Sequence, residues 1–102
     1  MAIAFIQEWK NAAPGTENYD AITRRLDVAN DPPDGLIAHT AGHDGNGVWR
    51  IFDIWETREQ AERFQQERLM PIVREMIEQR GPEEMPQPDV MDMYEIHDLI
   101  HP

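Results

Sequence analysis

The stretch GVWRIFDIWETREQAERF, residues 47–64, is apolar on both faces of any strand that its first half could form. Side chains alternate across a strand, so Val48, Phe52 and Ile54 face one way and Trp49, Ile51 and Trp55 the other. A chain of 102 residues holds one domain with a small core. Two helices cover one face of a sheet, and the other needs a lid from elsewhere. Arg50 and Asp53 interrupt the run, one on each face, and each requires a partner because an unpaired buried charge costs several kcal/mol.

The remaining segments supply the sheet and the helices. Ile3–Trp9 alternates as a first strand and stops at the breaker cluster of residues 11–15. Thr16 is placed to cap a helix whose first turn carries Glu17, with Tyr19, Ile22, Leu26 and Ala29 at helical spacing. Asn30, Asp31, Pro32 and Pro33 stop it. Residues 35–42 (GLIAHTAG) read as a second strand, Asp44-Gly45-Asn46-Gly47 as a tight reversal, and residues 48–55 as a third strand. Thr57 and Gln60 form a capping box that opens the second helix. Ala61, Phe64, Ile72, Val73, Met76 and Ile77 fall largely on one side of it, and Pro71 predicts a kink or brief break. Gly81-Pro82 ends the helix, residues 82–89 connect, and residues 90–96 form a last strand.

The order β-α-β-β-α-β over a single domain of residues 1–102 predicts an α+β, ferredoxin-like fold, a four-stranded antiparallel sheet with two helices on one face. Pairing across the hairpin places Leu36, Ala38 and Thr40 with Trp49, Ile51, Asp53 and Trp55. The opposite face then gathers Ile37, His39 and Ala41 with Val48, Arg50, Phe52 and Ile54. A one-residue slip at the turn would re-sort these partners. A sheet face this apolar is rarely left to water, and a second copy of the same sheet is the simplest cover. The expected partner is thus the chain itself, a homodimer through its sheet faces.

Composition narrows the function. There is no cysteine and no serine, so disulfides and Ser or Cys nucleophiles are excluded. A cysteine-free chain without a basic leader at MAIAFIQEWKN is expected in the cytoplasm, and no run is long enough to cross a bilayer. A net charge of −11, with arginines dispersed along the helices among Asp and Glu, argues against nucleic acid. His39 and His43 lie four apart on a strand, roughly 13 Å, too far to share one ion, and no metal is expected.

The strand RIFDIWE running into TREQAERF, with the DGLIAHTAG strand, resembles the dimeric α+β barrel superfamily, and within it the antibiotic biosynthesis monooxygenase-like proteins. The signature is an acidic residue, an apolar residue and an aromatic before a short turn and an Ala/Phe-bearing helix. Here those are Asp53, Ile54 and Trp55, then Glu56-Thr57 and residues 61–64. The resemblance covers nearly the whole chain. It implies a dimeric barrel with a pocket between sheet and helices suited to a flat, hydrophobic aromatic or polyketide-like molecule, and oxygenation without a cofactor. It also admits a cyclase or isomerase in the same pocket, or a non-catalytic binding or structural dimer. The haem-degrading branch carries a Trp and a His on the second helix; Phe64 and Arg74 stand there, so haem ligation of that kind is not implied.

Three residues are candidates for catalysis. His39 is suited to take a phenolic proton near neutral pH, or is a core or interface histidine with a structural hydrogen bond. Arg50 either holds a substrate oxygen or bridges to an acid of a second subunit. Asp53 either orients the base or pairs with a helix arginine. Trp49, Trp55, Phe64, Tyr94 and Met76 are candidates for binding an aromatic substrate, each having a plain core role as the alternative.

Overall fold

A computed structural model describes the backbone of residues 1–102 and every side chain but that of Glu84. The order is β1 (Ile3–Trp9), α1 (Glu17–Leu26), β2 (Leu36–His43), β3 (Trp49–Trp55), α2 (Arg58–Phe64), a π-helical turn over Gln65–Leu69, α3 (Met70–Arg80) and β4 (Val90–Glu95). A short 3-10 turn over Pro82–Glu84 precedes β4. The strands pair antiparallel in the order β2-β3-β1-β4, giving the expected ferredoxin-like sheet.

The sequence logic of the helices holds with two corrections. Thr57 caps α2 by accepting from the Gln60 backbone N–H at 3.2 Å. Thr16 precedes α1 but makes no such bond; its hydroxyl donates to Asp20 Oδ2 at 2.8 Å instead. Nor does α1 run to Ala29. Asp27 takes the left-handed conformation at φ 51°, and its carbonyl accepts from Asn30 and Asp31, closing the helix one turn early. At Pro71 the missing donor and the ring would disturb an unbroken α-helix. The chain widens just upstream, where the Met70 N–H reaches back five residues to the Gln65 carbonyl. So α2, the π-turn and α3 follow one another without a break.

Register decides which sheet face is covered. Ile3 lies opposite Trp55 and Phe5 opposite both Asp53 and Met93, so these share a face. Ile3, Phe5, Trp55 and Ala61 of α2 are buried together, with Leu36, Phe64 and Met93 packed around them. That is the helix-covered face. Ala4, Ile6, Glu8, Arg50, Phe52, Ile54 and Tyr94 belong to the other.

The hairpin differs from the expected pairing by one residue. Asp44 N–H bonds the Val48 carbonyl at 3.0 Å, leaving Gly45, Asn46 and Gly47 as a three-residue loop with Gly45 and Gly47 at positive φ. The Asp44 carboxylate accepts from the backbone N–H of Asn46 at 2.7 Å and of Val48 at 3.2 Å, which fixes the loop. These bonds, with Arg50 nearby, hold its carboxyl below the usual range. Asp44→Ala is expected to lower Tm at pH 7. Because the folded carboxyl titrates lower than the unfolded one, its contribution is present at neutral pH and lost as pH falls below about 4. The difference in Tm between variant and parent should therefore shrink in melts run in acid.

Candidate functional site

The three-residue loop puts His39 directly opposite Asp53 and Thr40 opposite Phe52. The expected pairing had set His39 and Asp53 on opposite faces, and that assignment is corrected. A second correction concerns β2 itself. A bulge between Leu36 and Ala38 interrupts strict alternation, so Leu36 pairs with Trp55 and His39 with Asp53 although three residues separate them. Both side chains thereby reach the helix-covered face.

His39 Nδ1 lies 2.6 Å from Asp53 Oδ1. Asp53 is 6 % exposed, whereas the His39 side chain keeps 34 % of its surface. Of the partners expected for Asp53, a base to orient or a helix arginine, it meets the histidine. On the far side of the ring, His39 Nε2 meets the Tyr19 hydroxyl at 2.5 Å. Burial, and then the negative charges of Asp53 and Asp20, push the Tyr19 hydroxyl above the ordinary tyrosine range, so it keeps a proton that it can donate. An ionised carboxylate only accepts. In the neutral tautomer that donates Nδ1–H to Asp53, Nε2 is left to accept from the Tyr19 hydroxyl. Such a ring is a base, oriented by a carboxylate.

Aromatic rings frame the histidine. Tyr19 and Trp49 meet in a T-shaped pair with centroids 5.2 Å apart, and His43 and Trp49 in another at 4.7 Å. His43 Nε2 lies 3.3 Å from the Gly15 carbonyl, in the loop that leads into α1. Of the residues singled out from sequence, His39, Asp53 and Trp49 therefore converge, and Tyr19 joins them. Tyr19 had been read only as an apolar helix position. Its signal was a hydroxyl on the sheet-facing side of a helix, which has to find a partner.

Trp55 and Phe64 also meet, with centroids 5.4 Å apart, inside the core beside Asp53's strand. Trp55 Nε1 is buried with no acceptor, the only such side-chain atom among the described residues. Met76 is buried at 3 % exposure. Arg50 and Tyr94 lie on the opposite face of the sheet and do not join His39. Arg50 Nε donates to Glu8 Oε2 at 2.5 Å, and its Nη2 lies 3.9 Å from Asp44 Oδ2, so its partners are acids of its own chain.

The surface cavities include two on different sides of the sheet. One of about 310 Å³ lies between residues 31–34 and α2 with its π-turn, lined by Phe64, Arg63 and Arg68 among others. The other, about 290 Å³, is on the open sheet face near Arg50 and Phe52. Neither includes His39 or Asp53. No group of three or more His, Cys, Asp or Glu is arranged to hold a metal among the described residues, and no described helix is long and apolar enough to cross a membrane.

No protein-family model matches the chain, and no curated protein does. Solved structures do. The protein Rv0793 from Mycobacterium tuberculosis superposes with a TM-score of 0.67 at 10% identity, over 99% of this chain and 100% of that one. A protein from Chloroflexus aurantiacus, provisionally assigned to the antibiotic biosynthesis monooxygenases, gives 0.62 at 16% identity over 99% and 98%. SnoaB, a cofactor-independent oxygenase from Streptomyces nogalater, gives 0.61 at 12% identity over 97% and 96%. The chain has the fold of the antibiotic biosynthesis monooxygenase-like proteins.

Proposed function

We propose that the chain is a cofactor-independent monooxygenase-like enzyme acting on a planar, hydrophobic, hydroxylated aromatic or polyketide-like molecule, as a homodimer in the cytoplasm. The observation that carries this reading is the His39 imidazole, held 2.6 Å from buried Asp53 on one side and 2.5 Å from a phenolic hydroxyl on the other. Its likeness in fold to an oxygenase that needs no cofactor supports the same reaction class. In this reading His39 Nε2 takes the substrate's hydroxyl proton, and the electron-rich anion passes one electron to dioxygen. Recombination forms a C–O bond at the ring CH carbon conjugated with the phenolate oxygen and gives a peroxide. That carbon then loses its hydrogen as the O–O bond breaks, leaving one oxygen as a carbonyl, while the other departs as water with that hydrogen and the proton held by His39. Trp49 supplies a flat surface for the ring system. The test is an oxygen electrode with a panel of anthrones and naphthols. One dioxygen consumed per substrate is expected, and an inert protein across the panel rejects the reaction. Product formed without oxygen would instead mark a cyclase or isomerase.

A non-catalytic binding dimer is favoured by one observation, that neither cavity reaches His39. It predicts ligand binding with no turnover.

The open sheet face supports the dimer. Ile6, Phe52 and Ile54 are only half-buried there and Tyr94 is 46 % exposed. Burying such side chains against a second copy contributes about 1.5–3 kcal/mol each before the entropy of association. Phe52→Glu is expected to convert the dimer to single chains in sedimentation at micromolar concentration. A parent protein that already sediments as single chains rejects the dimer.

A further inference from the structure

We propose that Tyr19 is a built-in surrogate for the substrate. Its hydroxyl occupies the one acceptor on His39 that an incoming phenolic or enolic hydroxyl must take, so a ligand binds only by displacing it. This rests on His39 being the base and adds a gate and a binding geometry to that reading.

A neutral imidazole has a single free lone pair. With Tyr19 at 2.5 Å from Nε2 and Asp53 at 2.6 Å from Nδ1, both ring nitrogens are engaged. No second donor can reach the base while Tyr19 stays. Passing a proton through Tyr19 is the other route, but the hydroxyl would first have to ionise beside Asp53 and Asp20, whose charges and the surrounding burial hold its proton. Displacement is the route that remains.

The bound phenol also records what the site accepts. Its ring lies nearly parallel to the imidazole, 11° between planes and centroids 6.0 Å apart, and forms a T-shaped pair with Trp49. A planar aryl hydroxyl fits that outline. His39 keeps a third of its side-chain surface, so the nitrogen can be approached once Tyr19 leaves. Tyr19 sits in the first turn of α1, where Thr16 makes no capping bond. Arg80 reaches that turn, donating to Asn18 Oδ1 at 3.1 Å. The other end of α1 is held more firmly: Arg25 pairs with Glu75, and Arg68 donates to the Leu26 carbonyl.

The experiment titrates 2-naphthol into the full chain and into Tyr19→Phe, reading affinity together with the imidazole ¹⁵N signals of His39. 2-Methoxynaphthalene, which has the rings but no free hydroxyl, is the control. Tyr19→Phe should bind 2-naphthol about tenfold more tightly than the parent, the scale of one hydrogen bond no longer competed for. The control should show no such gain. Equal or weaker 2-naphthol binding by the variant, with His39 signals moving in both proteins, overturns the gate and leaves the base standing. An equal gain for 2-methoxynaphthalene also overturns it, since space and not the hydroxyl would then be the cause. His39 signals unmoved in both proteins overturn the gate and the base together.

Discussion

His39→Ala is expected to cut oxygen consumption with a responsive polyphenol by about 100-fold or more, the usual contribution of a positioned general base. Alanine also strips buried Asp53 of its partner, and an unpaired buried carboxylate costs stability on its own. His39→Gln separates the two effects. A glutamine amide can donate to Asp53 but is not basic, so this variant should melt near the parent and be as inactive as alanine. Full activity in His39→Gln would remove His39 from the chemistry. Asp53→Asn should act through the ring: an amide no longer fixes the Nδ1–H tautomer, and activity should fall while the fold persists. The readouts are initial oxygen-consumption rate and Tm, measured on the same preparations.

Trp55→Ala is expected to have the largest effect on stability. Trp55 is 1 % exposed, packs with Phe5, Ile3 and Ala61, and touches Phe64. Removing a buried indole in such a setting costs about 3–5 kcal/mol. For a domain of this size, each kcal/mol shifts Tm by roughly 4–8 °C. A fall of more than about 10 °C should follow, or no cooperative melt at all. Trp55→Phe should be far milder, because it keeps most of the ring and removes an indole N–H that lacks an acceptor. A Trp55→Ala protein melting within a few degrees of the parent would show that the indole is not the centre of the core.

Much of the architecture was legible in the chain. The alternation of Ile3–Trp9, the capping box at Thr57 and the Gly81-Pro82 stop each act within a few residues, and each stands where it was expected. The apolar pattern of β3 on both faces was legible for the same reason, since alternation is a property of a single strand. Even the division of Arg50 and Asp53 between faces followed from it.

The site was less legible, because it depends on how strands meet. Whether His39 faces Asp53 turns on a single residue of register, which the Asp44 carboxylate sets by holding Asn46 and Val48 in a three-residue loop. The bulge at the start of β2 then turns His39 and Leu36 to one side, against the alternation of the strand. Tyr19 arrives from a helix twenty positions away in sequence, and no local pattern announces that meeting. Sequence by itself determined the elements, their order and which residues of β1 and of β3 share a face, because those follow from short-range periodicity. Only the tertiary structure decided which histidine, acid and phenol converge, because hydrogen bonds between strands and between helix and sheet select one alignment among several that the periodicity allows.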